Sequence, residues 1–91
     1  MKLTQANLDQ HGALYAVLPN GQLVGIEPCE SEDDIELPLY ENLGTQQNPE
    51  WEVLDSQFYK NSPYVNLEDV IEDNPIFKQY NWISINDIKF H

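Results

Sequence analysis

Ala13-Leu14-Tyr15-Ala16-Val17-Leu18 runs into Pro19-Asn20-Gly21-Gln22 and then into Leu23-Val24-Gly25-Ile26. Two apolar runs on either side of Asn-Gly read as a β-hairpin, because both turn residues tolerate positive φ. With Asn20-Gly21 as a two-residue loop, Val17 would face Val24 and Tyr15 would face Ile26. Leu14, Ala16, Leu18 and Leu23 would then occupy the other face. Both faces are apolar, so at least part of the hairpin should be covered on both sides. Pro19 has no N–H to give to a ladder and belongs at the strand end.

The pattern continues outward from the hairpin. Ile35, Leu37 and Leu39 alternate with Asp34, Glu36 and Pro38, a period-2 signature of a strand with one apolar and one acidic face. Pro38 places that strand at a sheet edge. Residues 41–49 are a polar loop. Trp51 and Val53 alternate with Glu50 and Glu52 as another half-buried strand, with Phe58 and Tyr59 extending it past a turn. Residues 62–80 form the best helical stretch. Ser62-Pro63 or Asn66 can cap it, with Asp69 at N3 of the second choice. Leu67, Val70 and Ile71 share one face, opposite Glu68, Asp69, Glu72 and Asp73. Asn74-Pro75 should end or kink this helix, and Pro75 can open a second short one carrying Phe77 and Tyr80.

The chain's ends are less patterned. Trp82 to Phe90 reads as a terminal strand with a bulge or turn near Asn86-Asp87. Leu3, Ala6 and Leu8 fit a short strand or a helical turn. The expected architecture is therefore α+β: a mostly antiparallel sheet of four or five strands packed against one kinked C-terminal helix, in a single domain over residues 1–91.

Composition narrows the function classes. Sixteen residues are Asp or Glu, four are Lys and none is Arg, giving a formal net charge of −12. Fourteen of the acids fall between Glu27 and Asp73, where Lys60 is the only basic residue. Such a charge repels itself in the compact state, so it serves solubility, steering or a cationic partner. Two Trp, five Tyr and three Phe distinguish the chain from disordered acidic sequences, which are poor in aromatics. Cys29 is alone, so there is no internal disulfide and no zinc-type cysteine pair. An acidic neighbourhood does not activate a thiol. Met1 to His11 lacks an apolar core segment of a signal peptide, and no apolar run approaches the ~18 residues of a transmembrane helix. An anionic surface is also repelled by anionic lipid heads. The expectation is a soluble, cytoplasmic protein without a membrane partner.

The candidate site is a carboxylate face. In an extended segment, Glu30, Glu32, Asp34 and Glu36 would share one face at roughly 6.6–6.8 Å intervals, the order of magnitude of a phosphate row. Asp33 joins this cluster. Glu50 and Glu52, and the helix pair Glu68/Glu72, could extend it, and Tyr40 is an aromatic anchor of the kind enriched at interface hot spots. The alternative is a solvated face that keeps an edge strand from aggregating. Both Trp residues are expected in the core.

Other chemistries fit poorly. Glu30, Glu32, Asp34 and Glu41 match EF-hand positions one, three, five and twelve, but position six is Ile35 where the loop wants Gly. His11 and His91 cannot build a His-rich metal site. The helix acids lack the cleft and set separation of a glycosidase pair. No G-x-S-x-G and no Gly-rich phosphate loop occurs. Direct nucleic-acid binding needs Lys or Arg to displace counterions, and the surface has the wrong sign. No cofactor, metal or enzymatic activity is expected.

What remains is a small acidic inhibitor docking its carboxylates into the basic groove of a nuclease, toxin or other nucleic-acid-binding protein. Size and acidity suit a DNA mimic of anti-restriction or anti-CRISPR type, or a toxin-immunity protein. The runner-up is a structural or assembly adaptor that pairs its hairpin edge or its Trp82–Phe90 strand with a partner chain.

Overall fold

Thr4 opens the first element. Its Oγ1 accepts the Asn7 N–H at 3.1 Å, the N-cap bond that starts helix α1 over Gln5–His11. Gly12, at φ 79°, ends the helix in a backbone conformation that glycine adopts without penalty. The open choice at the N-terminus therefore resolves as a helix, with Leu8 as its buried contact. A computed structural model describes residues 1–28, 35–59 and 67–88.

The hairpin forms, but its register differs from the expected one. Strand β1 is Leu14–Val17 and β2 is Leu23–Pro28. Gly21 N–H donates to the Leu18 carbonyl at 2.9 Å, and Leu18 N–H donates to the Gln22 carbonyl at 2.8 Å. The loop is thus Pro19-Asn20-Gly21, with Pro19 setting a turn whose exit, Gly21, sits at φ 88°. Asn20 Oδ1 accepts the Gln22 N–H at 3.0 Å and fixes the loop further. One extra loop residue slips the pairing by one. Tyr15 faces Gly25 rather than Ile26, and Val17 faces Leu23 rather than Val24. Leu14, Ala16, Val24 and Ile26 consequently share one face, and Tyr15 and Leu23 take the other.

The sheet is a five-stranded antiparallel layer in the order β4-β3-β2-β1-β5, with β3 at Ile35–Asn42, β4 at Trp51–Tyr59 and β5 at Ile83–Ser84. Pro38 corrects an expectation here. Its strand β3 lies inside the sheet, between β2 and β4, and Pro38 is fully buried. The β2–β3 pairing runs through Val24↔Leu39 and resumes at Glu27↔Glu36, skipping Gly25 and Ile26. The gap lies opposite Pro38, whose missing N–H removes a ladder bond. Gly25, lacking a side chain, leaves room for the ring: a Cβ there would meet Pro38 Cγ at 3.1 Å.

Strand β4 runs unbroken from Trp51 through Tyr59, so no turn precedes Phe58 and Tyr59. Its irregularity is a bulge. Leu39 pairs with Asp55 and Tyr40 with Val53, leaving Leu54 without a partner.

On one side of the sheet lie α1, helix α2 (Leu67–Asp73) and a 3₁₀ helix (Pro75–Gln79). Leu67 and Val70 face inward, Glu68, Glu72 and Asp73 are exposed as the sequence spacing requires, and Asp69 is half-buried. The break at Asn74-Pro75 occurs as expected; Asn74 Nδ2 donates back to the Val70 carbonyl at 3.0 Å. Ser62, Pro63 and Asn66 lie outside the described residues. Leu3, Leu8, Leu14, Ala16, Val24, Ile26, Leu37, Leu67, Val70, Phe77 and Trp82 form the core between the layers. The Trp82 indole N–H donates to the Phe77 carbonyl at 2.8 Å, and its ring meets Phe77 edge-on at 5.4 Å.

Among the described residues, the expected terminal strand is interrupted early. Ile83 and Ser84 pair opposite Tyr15 and Leu14, and a 3₁₀ turn over Ile85–Asp87 follows; Lys89 and Phe90 lie outside the described residues. Before Ile83, the backbone is anchored elsewhere: Trp82 N–H donates to the Met1 carbonyl at 2.9 Å, and the Met1 amine donates to the Trp82 carbonyl at 2.7 Å. A second, smaller core of Ala13, Tyr15, Leu23 and Trp51 lies on the sheet's outer face, with Tyr40, Ile83 and Ile88 against it. The hairpin is thus flanked on both sides, β1 by β5 and β2 by β3, so it is not an open edge.

Candidate functional site

The alternation of β3 decides where the acids point. Ile35 and Leu37 pack toward the helices, so Glu36 projects from the outer face, as does Tyr40. Glu36 is the direct cross-strand partner of Glu27 on β2. Each half-buried carboxylate accepts a hydroxyl: Tyr40 donates to Glu27 Oε2 at 2.9 Å, and Ser56 Oγ donates to Glu36 Oε1 at 2.6 Å. Tyr15 lies beside Tyr40, their ring centroids 6.3 Å apart. Burial, reinforced by the Glu27 carboxylate, pushes both phenols well above the ordinary tyrosine range. They remain neutral hydrogen-bond donors, the opposite of what an activated phenolate nucleophile requires.

A second opposed pair occupies the other end of β3. Glu41 faces Glu52 on β4, and both are exposed. Like charges directly opposite in an antiparallel ladder oppose pairing. Among the described residues, the fold thus holds two Glu–Glu pairs in register.

The helix acids form a separate surface. Glu68 and Glu72 are exposed on α2, across the sheet from Glu36 and Tyr40. They share a shallow depression with Ile71 and Lys78. Glu68 and Asp69 occupy the first turn, where negative charge offsets the helix dipole.

The predicted site residues therefore do not form one face. Glu36 and Tyr40 lie on the outer face. Glu50 immediately precedes β4 and Glu52 is its second residue, at the end of the sheet, and Glu68 and Glu72 lie on the helix layer. Glu30, Glu32, Asp33 and Asp34, with their expected phosphate-like spacing, lie outside the described residues, as does Cys29. Both Trp residues are buried as expected, Trp82 at 0% and Trp51 at 8% exposure.

Sequence reasoning missed Glu27 as a partner of Tyr40, and the opposition of Glu41 to Glu52. Neither has a local signal; both follow from register. It also missed an outer-face groove of about 390 Å³ lined by Val17, Pro49, Trp51, Ile83 and Ile88 together with the polar Gln47, Asn48, Glu50 and Asp87.

Among the described residues, no group of three or more His, Cys, Asp or Glu is placed to hold a metal ion, and no helix is long and apolar enough to cross a membrane. The chain matches no protein-family model, no curated protein and no solved structure.

Proposed function

We propose that the protein is a stoichiometric acidic inhibitor, docking exposed carboxylates into the basic groove of a nuclease, toxin or other nucleic-acid-binding protein. The observation that carries this reading is the pair of Glu–Glu oppositions, Glu27/Glu36 and Glu41/Glu52, at the two ends of one strand. Each such opposition costs about 0.2–1 kcal/mol of pairing free energy, a cost that a cationic partner removes. Charge of this sign steers association and raises the on-rate, while a few apolar or aromatic contacts set specificity. DNA mimicry and toxin immunity share this physics, and the chain's size and acidity fit both.

The test is binding to a basic nucleic-acid-processing protein captured from nuclease-treated lysate, measured against salt. Affinity should fall steeply as salt rises, because exposed charges are screened. Reversal of Glu50 and Glu52 to Lys, or of Glu68 and Glu72 to Lys, identifies which acidic surface docks. Binding that survives both reversals and high salt rejects the reading.

One observation favours a second reading, the adaptor. Strand β4 is a nine-residue edge, and Val53 and Leu54 on it are more than half exposed. An edge strand offers backbone groups to a partner strand, although the Leu54 bulge and the Glu52 and Asp55 charges are devices that blunt such pairing. Strand addition would be nearly insensitive to salt, which separates the two readings.

A further inference from the structure

Strand β4 is paired on one edge: among the described residues its neighbour in the sheet is β3, and the opposite edge is open. The Leu43 N–H donates to the Glu50 carbonyl, which sets the phase of the β3–β4 ladder. By the alternation of an antiparallel ladder, Glu52, Asp55 and Gln57 turn their backbone groups to β3, while Val53 and Ser56 turn theirs to the open edge. The outward Ser56 N–H is taken by the side chain of its own neighbour, donating to Asp55 Oδ1 at 2.7 Å. Asp55 thereby occupies a donor that an incoming strand needs. The bulge at Leu54 also puts Glu52 and Asp55 on one face of the sheet, since their β3 partners Glu41 and Leu39 are two residues apart. Both carboxylates are exposed.

We propose that this edge receives an extended segment of a partner protein with a basic-x-basic spacing, a refinement that rests on the strand-addition reading above. The Asp55 latch selects the occupant. A docking strand gives a carbonyl to the Ser56 N–H and displaces the Asp55 carboxylate, which then lies beside the new strand. A neutral strand returns nothing to that carboxylate. A lysine or arginine directly opposite does, since opposed residues stand ~4.5–5.5 Å apart at Cβ and opposite charges there are favourable. The bulge counts two residues against one, so the position opposite Glu52 lies two residues along the partner, on the same face, and takes a second cation. The residue between the two cations falls on the other face, beside Val53, which is 56% exposed and suits an apolar side chain. A second copy of this chain is disfavoured, because it brings a further charge of −12 to an edge that carries two carboxylates. Main-chain hydrogen bonds give the affinity and the exposed ion pairs set the choice of strand, so salt dependence stays shallow.

The probe is the peptide acetyl-Thr-Lys-Val-Lys-Val-Lys-Thr-amide, with a counterpart carrying Gln in place of each Lys. Both are titrated into isotopically labelled protein at low ionic strength and again at about 0.5 M salt. The Lys peptide should shift the backbone amides of Val53 to Gln57 saturably and protect the Ser56 N–H from hydrogen exchange. It should bind roughly threefold or more tighter than the Gln peptide at low salt, and that preference should narrow at high salt while the edge shifts persist. Glu52→Gln with Asp55→Ala should erase the preference, the two peptides then binding alike. The Trp82 indole N–H, bonded to the Phe77 carbonyl inside the core, verifies folding in the variant when its resonance is unmoved. Equal affinity of the two peptides for the wild-type edge overturns the basic-strand proposal and leaves strand addition standing. Shifts confined to the Glu68 and Glu72 region overturn the edge as the docking surface. No shift along β4 with either peptide overturns the proposal and the strand-addition reading together.

Discussion

Gly25→Ala should destabilise the protein, although a strand-interior glycine normally gains from replacement. A Cβ built on Gly25 lies 2.7 Å from Tyr15 Cε1, 2.9 Å from Tyr15 Cδ1 and 3.1 Å from Pro38 Cγ. Ordinary carbon–carbon contacts fall at about 3.5–4.0 Å, so the methyl group arrives nearly an ångström too close to the ring. The ring has little space to retreat into. Tyr15 is 1% exposed, packed with Leu23 and Trp51, and Pro38 is fully buried. Overpacking of this kind costs about 1–3 kcal/mol. The reduced entropy of the unfolded chain returns only about 0.4–1 kcal/mol. The net loss should be about 1–2 kcal/mol. Urea unfolding followed by tryptophan fluorescence reads it directly. With a slope near 1 kcal/mol/M for so small a chain, the midpoint should fall by about 1–2 M at unchanged slope. The Tyr15→Leu background supplies the control, since a smaller side chain leaves room for the methyl and the second substitution should then cost under about 0.5 kcal/mol. A midpoint unchanged or raised by Gly25→Ala in the wild-type background would refute the packing argument and, with it, the role given to Gly25 in seating Pro38.

Three further outcomes follow from the same geometry. Tyr40→Phe removes a hydroxyl bonded at 2.9 Å to a half-buried carboxylate, and should cost about 1–2 kcal/mol in urea unfolding; no loss would mean that water fully replaces the hydroxyl. Alkaline pH should destabilise the fold. Tyr15 and Tyr40 titrate above the ordinary value when folded, so as pH passes about 10 the unfolded chain ionises first and binds fewer protons, and stability falls as pH rises. For buried Tyr15 the slope should approach 1.4 kcal/mol per pH unit. The contribution is fully present below pH ~10. Melting temperatures between pH 8 and 11 check this, and a flat profile refutes it. Glu52→Lys converts the exposed opposition with Glu41 into an attraction and should raise stability by roughly 0.5–1 kcal/mol, less at high salt, in the same unfolding assay.

The hairpin, the helix and the break at Asn74-Pro75 were legible because each rests on a local signal. Register was not. Asn20-Gly21 announced a turn, but Pro19 begins it one residue early, and that single residue exchanges the partners of Tyr15 and Val17. Pro38 misled for a different reason. The rule that places proline at sheet edges presumes that the partner strand needs the missing N–H and has no space for the ring. Gly25, which register alone brings opposite, satisfies the spatial half of that condition, and the skipped pairing satisfies the other. The candidate site suffered from both effects. Acidity is a property of composition and was plain. Which acids share a face depends on strand phase and on which side the helices pack, and these divide Glu36 from Glu68 and Glu72.

The manner in which the fold holds Glu27 and Glu36 bears on why the charge is there. Two half-buried carboxylates opposed across a ladder need stabilisation, and the usual remedy is a lysine or arginine between them. Among the described residues, Tyr40 and Ser56 supply neutral hydroxyls to the pair. A hydroxyl donor stabilises an ionised carboxylate without cancelling it, so the local repulsion is relieved while the net negative field is left intact. A cation would have relieved the repulsion and extinguished the field together. Glu41 and Glu52 are exposed and rely on water, with the same consequence for the field. Satisfaction by neutral groups leaves the charge of the half-buried pair in place, which is compatible with the docking proposed above. That is also why Tyr40→Phe and Glu52→Lys together are informative. The first weakens the fold and leaves the field unchanged, the second strengthens the fold and reduces the field, and only the second should slow association with a basic partner.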